Sequence, residues 1–294
     1  MSKDIARETD KEPTFGAESK RLRAHFGFSH MPFTKYAWAA KMFDSTSQRE
    51  LLQALQMWSD LHGLSLVTGQ SGVGKSIALR RFVQGLDQAR IRVIDFSYLP
   101  TTVTGFLRSL NRQLGLPMRC HMADLFDQAQ KHLTSFETEQ GPHPLLLIDD
   151  AEGLSVPVLD TIRRLTCYEL DAQDRFSILL TGTEDVLATL RHQALGSLRS
   201  RIGYAHSLRP FGLEDTRTYI RYHLDRAAVD TKLISEDAVK RIFNASAGKP
   251  RNINQIATQA LIQAAVHGRD IIDGEFVAAI IKDHPLYQLA PGER

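Results

Sequence analysis

Leu64-Ser65-Leu66-Val67-Thr68-Gly69-Gln70-Ser71-Gly72-Val73-Gly74-Lys75-Ser76 is the stretch that decides how this chain folds. Its first residues form a short apolar run of the kind that fills a strand buried on both faces. A complete G-x-x-x-x-G-K-S loop comes directly after that run, and Ile77 opens an amphipathic helical pattern beyond it. In such a loop the glycines let the backbone wrap closely, so that successive N–H groups point at phosphate oxygens. The helix that starts at Lys75 adds its positive dipole end. Lys75 reaches the β- and γ-phosphates of a nucleotide and the Ser76 hydroxyl serves Mg²⁺. The nucleotide contacts expected from this stretch are Gly69, Gln70, Ser71, Gly72, Val73, Gly74, Lys75, Ser76 and Ile77, with ATP and Mg²⁺ as cofactors.

Outward from this loop, short apolar runs alternate with helical patterns. Strands are predicted over 64–68, 91–96, 145–149 and 176–181, with a weaker fifth over 204–208. That alternation is the signature of a parallel sheet covered by helices on both faces. Upstream, Thr46 caps a predicted helix running to Leu61, with Leu51, Leu52, Leu55 and Trp58 on one face. After Pro210 only helices are predicted, over 213–228, 235–245, 251–267 and 273–282. The expected organisation is a flexible tail at 1–24, a nucleotide-binding α/β domain at 25–210, a small all-helical lid at 211–284 and a C-terminal tail at 285–294.

The composition is that of an ordinary globular protein: 294 residues, 43% hydrophobic and 24% charged, with a net charge of +2. A balance so near neutral neither requires nor excludes a nucleic-acid partner, because binding depends on where the charge sits. No apolar run approaches the roughly 20 residues of a membrane span. The polar start of the chain has no signal-peptide core, so a cytoplasmic location without membrane association is expected. Cys120 and Cys167 are too few for a disulfide framework or a zinc site.

Four further segments carry candidate chemistry. Leu145-Leu146-Leu147-Ile148-Asp149-Asp150 ends an apolar strand in paired acids, the Walker B pattern: Asp149 serves Mg²⁺, and Asp150 stands where attacking water is oriented, with Glu152 as a second candidate. Thr183, preferred over Thr181, lies at the end of the fourth strand beside the expected γ-phosphate, although either hydroxyl equally suits a strand-end turn. Arg199-Ser200-Arg201 precedes the fifth strand. Arg201 is the preferred candidate for a finger reaching a neighbouring subunit's nucleotide, against the alternative of a solvated helix end. Gly248-Lys249-Pro250-Arg251-Asn252-Ile253-Asn254 opens a lid helix, with Pro250 in its first turn and Arg251 directed at the phosphates.

In this order the segments resemble the AAA+ ATPases, and among them the ExeA-like and the TniB/TnsC-like proteins, the latter being helper ATPases of bacterial DNA transposition. Phe26-Gly27-Phe28 with Met31-Pro32-Phe33 is similar to that group's N-terminal F-G-x-x-x-x-P-F segment, and Asp149-Asp150-Ala151-Glu152 to its D-E-A-Q. Leu208-Arg209-Pro210-Phe211, with Glu214 and Tyr219-Ile220-Arg221, is similar to its junction between sheet and lid. The resemblance covers about residues 25–282. Its departure is Asp150 in place of the usual glutamate, which bears on hydrolysis rate and not on nucleotide binding.

The resemblance implies a parallel five-stranded AAA+ sheet between helices with a helical lid, ATP hydrolysis, and assembly into a homo-oligomeric ring or filament. ExeA-type proteins continue into a membrane segment and a cell-wall-binding region, whereas this sequence stops at Arg294. The leading expectation is therefore an ATP-dependent regulator that assembles on double-stranded DNA and recruits or activates a transposase. A secretion or envelope-assembly ATPase and a protein-binding nucleotide switch are the alternatives. Arg108 and Arg112, four apart on one predicted helix, and Arg163 and Arg164 on another, are the candidate phosphate grips, unless they simply form solvated helix faces. Nothing in the sequence reads bases. Phe33 and Tyr219 are candidates to flank adenine, although aromatics at such positions more commonly fill a core.

Overall fold

The computed structural model describes residues 17–34, 43–96, 100–138, 141–168 and 174–284. In chain order the elements are α1 (Ala17–Phe26), α2 (Thr46–Leu61), β1 (Leu64–Thr68), α3 (Lys75–Gly85), β2 (Ile91–Phe96), α4 (Val103–Gln113), α5 (Met122–Thr138), β3 (His143–Ile148), α6 (Val156–Thr166), β4 (Ser177–Gly182), α7 (Asp185–Leu190), α8 (Gly196–Ser200), β5 (Ile202–Ser207), α9 (Leu213–Arg226), α10 (Glu236–Ser246), α11 (Pro250–Val266) and α12 (Gly274–Asp283). They form two compact units. One comprises Thr46–Ser71 and the described residues of Lys75–Arg209; the other comprises Gly72–Gly74 and the described residues of Met1–Ser45 and Pro210–Arg294.

The first unit is built on a five-stranded sheet of order β2-β3-β4-β1-β5, parallel throughout. This is the sheet expected from the sequence. Strand β1 is buried at every position and so is β4, while β3 is buried from Pro144 onward, as strands covered on both faces must be. The edge strands β2 and β5 mix buried or half-buried positions with exposed ones. Leu66, Ile94, Phe106, Leu146, Leu159 and Leu180 share one core.

Register brings the carboxyl ends of the central strands together. Ile148 pairs with Leu180, and Val67 with Thr181. Asp149 therefore leaves β3 beside Thr181, and the loop leaving β1 starts beside the end of β4.

The second unit packs Ile220, Leu224, Ile242, Ile253, Ala257 and Leu261 of helices α9 to α11 into a separate core. Its helices are capped as their sequences direct: Ser235 accepts the Ala238 N–H and Asp273 the Phe276 N–H. Two features depart from the sequence reading. Helix α1 begins at Ala17, inside the stretch read as a tail, and its Leu22 is buried. Phe28 and Phe33, read as part of the α/β domain, are buried in the helical core. The physical reason is that residues 17–34 carry an apolar set too large to leave in water. The expected tail segments 1–16 and 285–294 lie outside the described residues. No described helix is long and apolar enough to cross a membrane, and both cysteines are exposed.

Each unit holds a half-buried histidine with a lowered pKa. In the first, His143 stacks on His62 with ring centroids 3.7 Å apart, and its Nε2 lies 2.9 Å from Ser177 Oγ. Burial, then the neighbouring His62, lowers its pKa to about 4. In the second, the Phe33 N–H donates to His223 Nδ1 at 3.3 Å, and the ring packs against Phe33 and Tyr219. Burial first, then the Arg226 and His30 charges, lowers the His223 pKa to about 4.

Because the folded pKa lies below the unfolded one, the unfolded chain binds the proton first, and stability falls as pH drops from the ordinary histidine value toward about 4. Between about pH 6.5 and pH 4.5 the loss from His223 alone is roughly 2–3 kcal/mol, or roughly 4–12 °C in Tm. Thermal unfolding of wild type and His223→Gln across this range checks it. The variant should show the shallower pH dependence, and parallel slopes would remove His223 as the cause.

Candidate nucleotide site

The loop between β1 and α3 is shaped by its glycines. Gly72 has a φ of +82°, a conformation that L side chains rarely adopt, and a Cβ there would come within 2.9 Å of the Arg251 Cβ. The Arg251 N–H donates to the Gly72 carbonyl at 3.2 Å. Arg251 stands in the first turn of α11, directly after Pro250.

Lys75 opens α3 and is buried, with 7% of its surface exposed. A buried ammonium needs partners. It donates to the Gly69 carbonyl at 2.8 Å and to the Gln70 carbonyl at 3.3 Å. The loop's own backbone thus holds the cation where phosphate oxygens could replace those carbonyls. Val73 is buried, and Ile77 is partly exposed on the first turn of α3. Ser71 and Ser76 are exposed.

Asp149 ties together the start of α3 and the ends of β3 and β4. Its Oδ2 accepts the Ser76 hydroxyl at 2.8 Å, and its Oδ1 accepts both the Thr181 hydroxyl and the Asp150 N–H, the latter at 3.0 Å. Ser76 and Asp149 therefore present hard oxygen donors side by side, a donor set that suits Mg²⁺. When bound, that ion would offset phosphate charge. Asp95, on β2, also feels this carboxylate. Burial, then repulsion from Asp149, raises its pKa.

The other candidates separate clearly. Asp150 is exposed and sits in the left-handed region, at φ 54° and ψ 40°. The Glu152 carboxylate accepts the Thr183 N–H at 3.0 Å. The Thr183 hydroxyl donates to Asp185 at 3.2 Å, whereas Thr181 is the threonine that reaches Asp149. The sequence reading placed Thr183 beside the expected γ-phosphate; the contact of Thr181 with Asp149 was not foreseen, because it depends on the register of β3 against β4.

Arg201 caps the end of α8 with its guanidinium 3.6 Å from Cys167 Sγ. Arg199 instead donates to the Leu190 carbonyl at 2.8 Å, which occupies it at the end of α7. Arg108 and Arg112 lie on an exposed face of α4, and no acid among the described residues pairs with either. Arg163 is paired with Asp160 at 2.8 Å, and Arg164 lies over the Phe126 ring. Phe33 and Tyr219 are buried in the helical core. The Tyr219 hydroxyl donates to Asn254 at 2.9 Å, and burial pushes its pKa up to about 12.

Comparisons with known proteins point to one fold. Residues 59–190 match the AAA domain family. Over 263 residues the chain is 28% identical to general secretion pathway protein A of Aeromonas hydrophila. That match takes in 86% of this chain and 47% of the relative, so the chain spans about half the relative's length. Among solved structures it is similar to Cdc6p of Pyrobaculum aerophilum, with a TM-score of 0.64 and 21% identity over 85% of this chain and 70% of that one. It is also similar to the ORC1 protein of Aeropyrum pernix solved in complex with DNA, with a TM-score of 0.61 and 14% identity over 85% and 67%. At such identities the structural likeness speaks for the fold alone. The chain therefore has the fold of these AAA+ P-loop neighbours, a parallel five-stranded sheet with flanking helices and a helical C-terminal part, and its residues 59–190 match the AAA domain family.

Proposed function

We propose that this protein is a Mg²⁺-dependent ATPase whose nucleotide state governs its assembly as a homo-oligomer on double-stranded DNA, where it recruits or activates a transposase. The observation that carries the ATPase reading is the hydrogen bond from Ser76 to Asp149 beside the buried Lys75. It joins the Walker A and Walker B segments around one set of charges suited to a triphosphate. Lys75 binds the β- and γ-phosphates, Ser76 and Asp149 hold the metal, and Asp150 orients the attacking water. Thr181 keeps Asp149 in place, and Arg251 responds to nucleotide from α11. Arg201 acts in trans on the next subunit's nucleotide.

The DNA part rests on less. Its supports are the exposed Arg108 and Arg112 on α4 and the resemblance of the Walker B and lid segments to transposition ATPases. That a protein of the same fold was solved in complex with DNA is compatible with it. A second reading, an ATPase of secretion or envelope assembly, is favoured by the 28% identity to general secretion pathway protein A. ATP-dependent binding to duplex DNA separates the two.

Three outcomes are expected. Lys75→Ala should abolish tight ATP binding or turnover, since it removes the main charge facing the phosphates. Isothermal titration with ATP and Mg²⁺ checks this, and unchanged affinity with unchanged turnover would remove the assignment.

Binding to duplex DNA, measured by fluorescence anisotropy, should require ATP and ignore sequence. Its log affinity should fall with log salt by about 0.9 per phosphate contact, and the double variant Arg108→Ala/Arg112→Ala should lower that slope by roughly 1.8. No ATP-dependent binding to any duplex at low salt would favour the secretion reading.

Arg201→Ala should leave ATP binding intact and lower turnover by about 10³ or more. Mixing it with the Lys75→Ala protein should restore part of the activity, because an intact pocket then meets an intact finger. Wild-type turnover in the variant would move the finger away from Arg201.

A further inference from the structure

We propose that Glu152 is a positioning residue for hydrolysis, and that its carboxylate clamps the turn after β3 to the end of β4 and so sets where Asp150 stands. The inference rests on the ATPase reading above. It assigns to Glu152 a role other than the water-activating one suggested by its place near the Walker B acids.

The starting point is the backbone of Asp150. Aspartate is among the few non-glycine residues that enter the left-handed region, where local hydrogen bonds help to hold it. Two local bonds help: the Asp150 N–H donates to Asp149 Oδ1 at 3.0 Å, and the Asp150 carbonyl accepts the Gly153 N–H at 2.9 Å. Both lie within the turn, so they shape it without fixing it to the sheet.

The anchor comes from Glu152, at the middle of the 3-10 turn Ala151–Gly153. Its Oε2 accepts the Thr183 N–H at 3.0 Å. This bond is charge-assisted and so stronger than a neutral one. Gly182 makes the approach possible. A Cβ on that residue would lie 2.5 Å from Glu152 Oε2 and 3.3 Å from the Glu152 nitrogen. The carboxylate therefore lies flush against the last residue of β4.

Two rungs thus join the ends of β3 and β4, on either side of Gly182. Thr181 donates to Asp149 and Thr183 to Glu152. Asp150 is strung between the two residues whose carboxylates are tied down, and is itself an exposed residue. A carboxylate oxygen already engaged by a backbone N–H and packed against backbone is poorly set to take a proton from water, whereas it is well set to hold a turn. Any change at the end of β4 is thereby passed to Asp150.

The test compares Glu152→Gln, Glu152→Ala, Gly182→Ala and the double variant Gly182→Ala/Glu152→Ala in the full chain. Steady-state ATPase kinetics and amide hydrogen exchange at Thr183 are measured for each. Glutamine keeps an acceptor oxygen for the Thr183 N–H, so exchange protection should persist and kcat stay within about threefold of wild type. Alanine should unprotect the Thr183 amide and lower kcat by at least about tenfold while KM for ATP moves less than about threefold. Gly182→Ala should reproduce this by expelling the carboxylate. The double variant should be no worse than either single one, because the two changes break the same contact.

A glutamine variant as impaired as the alanine one, with the acid-side limb of its pH–rate profile lost, would make Glu152 the base and overturn the clamp. So would wild-type kcat, or unchanged Thr183 protection, in Glu152→Ala. A wild-type protein without ATP turnover would instead defeat the ATPase reading, while Thr183 exchange still decides the clamp.

Discussion

The carboxylate of Asp149 is the point on which the rest of the site depends. It stands just past the last buried residue of β3 and is held by a hydroxyl from α3, a hydroxyl from β4 and the amide of the next residue. A charge at the rim of an apolar sheet is tolerable only with such partners. In satisfying that need it ties together the three segments that a triphosphate and its metal must touch. The buried strands β1, β3 and β4 supply the rigidity that keeps these partners in place. The parallel register of β1, β3 and β4 then carries the start of the P-loop, Asp149 and Thr181 to one edge, where open α/β sheets place their ligands.

Lys75 shows the complementary logic. Its ammonium is buried among backbone carbonyls of its own loop, so the positive charge is held in position before any phosphate arrives. Phosphate oxygens of the proposed nucleotide would take the place of those carbonyls. The Gly72–Arg251 backbone contact adds a route by which the loop senses α11, within the unit to which both residues belong.

Much of this was legible in the sequence because it is written in local patterns. The P-loop spacing, the apolar run ending in Asp149 and the run of helices after Pro210 each depend on residues close together in the chain. The parallel sheet was implied by strands alternating with helices. What the sequence hid was set by register and packing. Thr181 and Thr183 are chemically alike, and the pairing of Ile148 with Leu180 sets Thr181 beside Asp149. Asp95 lies near the end of an apolar run much as Asp149 does, yet its closeness to Asp149 depends on β2 lying beside β3. Glu152 read as a spare acid because its contact with the Thr183 amide spans 31 positions in the chain. Phe28 and Phe33 lie far from the lid helices in sequence, so their place in the helical core needed the fold.

The most direct measurement is the Mg²⁺ dependence of ATP affinity in the wild-type protein and in Ser76→Ala, by isothermal titration with and without the metal. If Ser76 and Asp149 together form the metal's donor set beside Lys75, Mg²⁺ should tighten ATP binding in the wild type, and that gain should be lost in the variant while metal-free binding is largely kept. An equal gain from Mg²⁺ in both proteins would contradict the account, because the hydroxyl that bridges Walker A to Asp149 would then have no part in holding the metal.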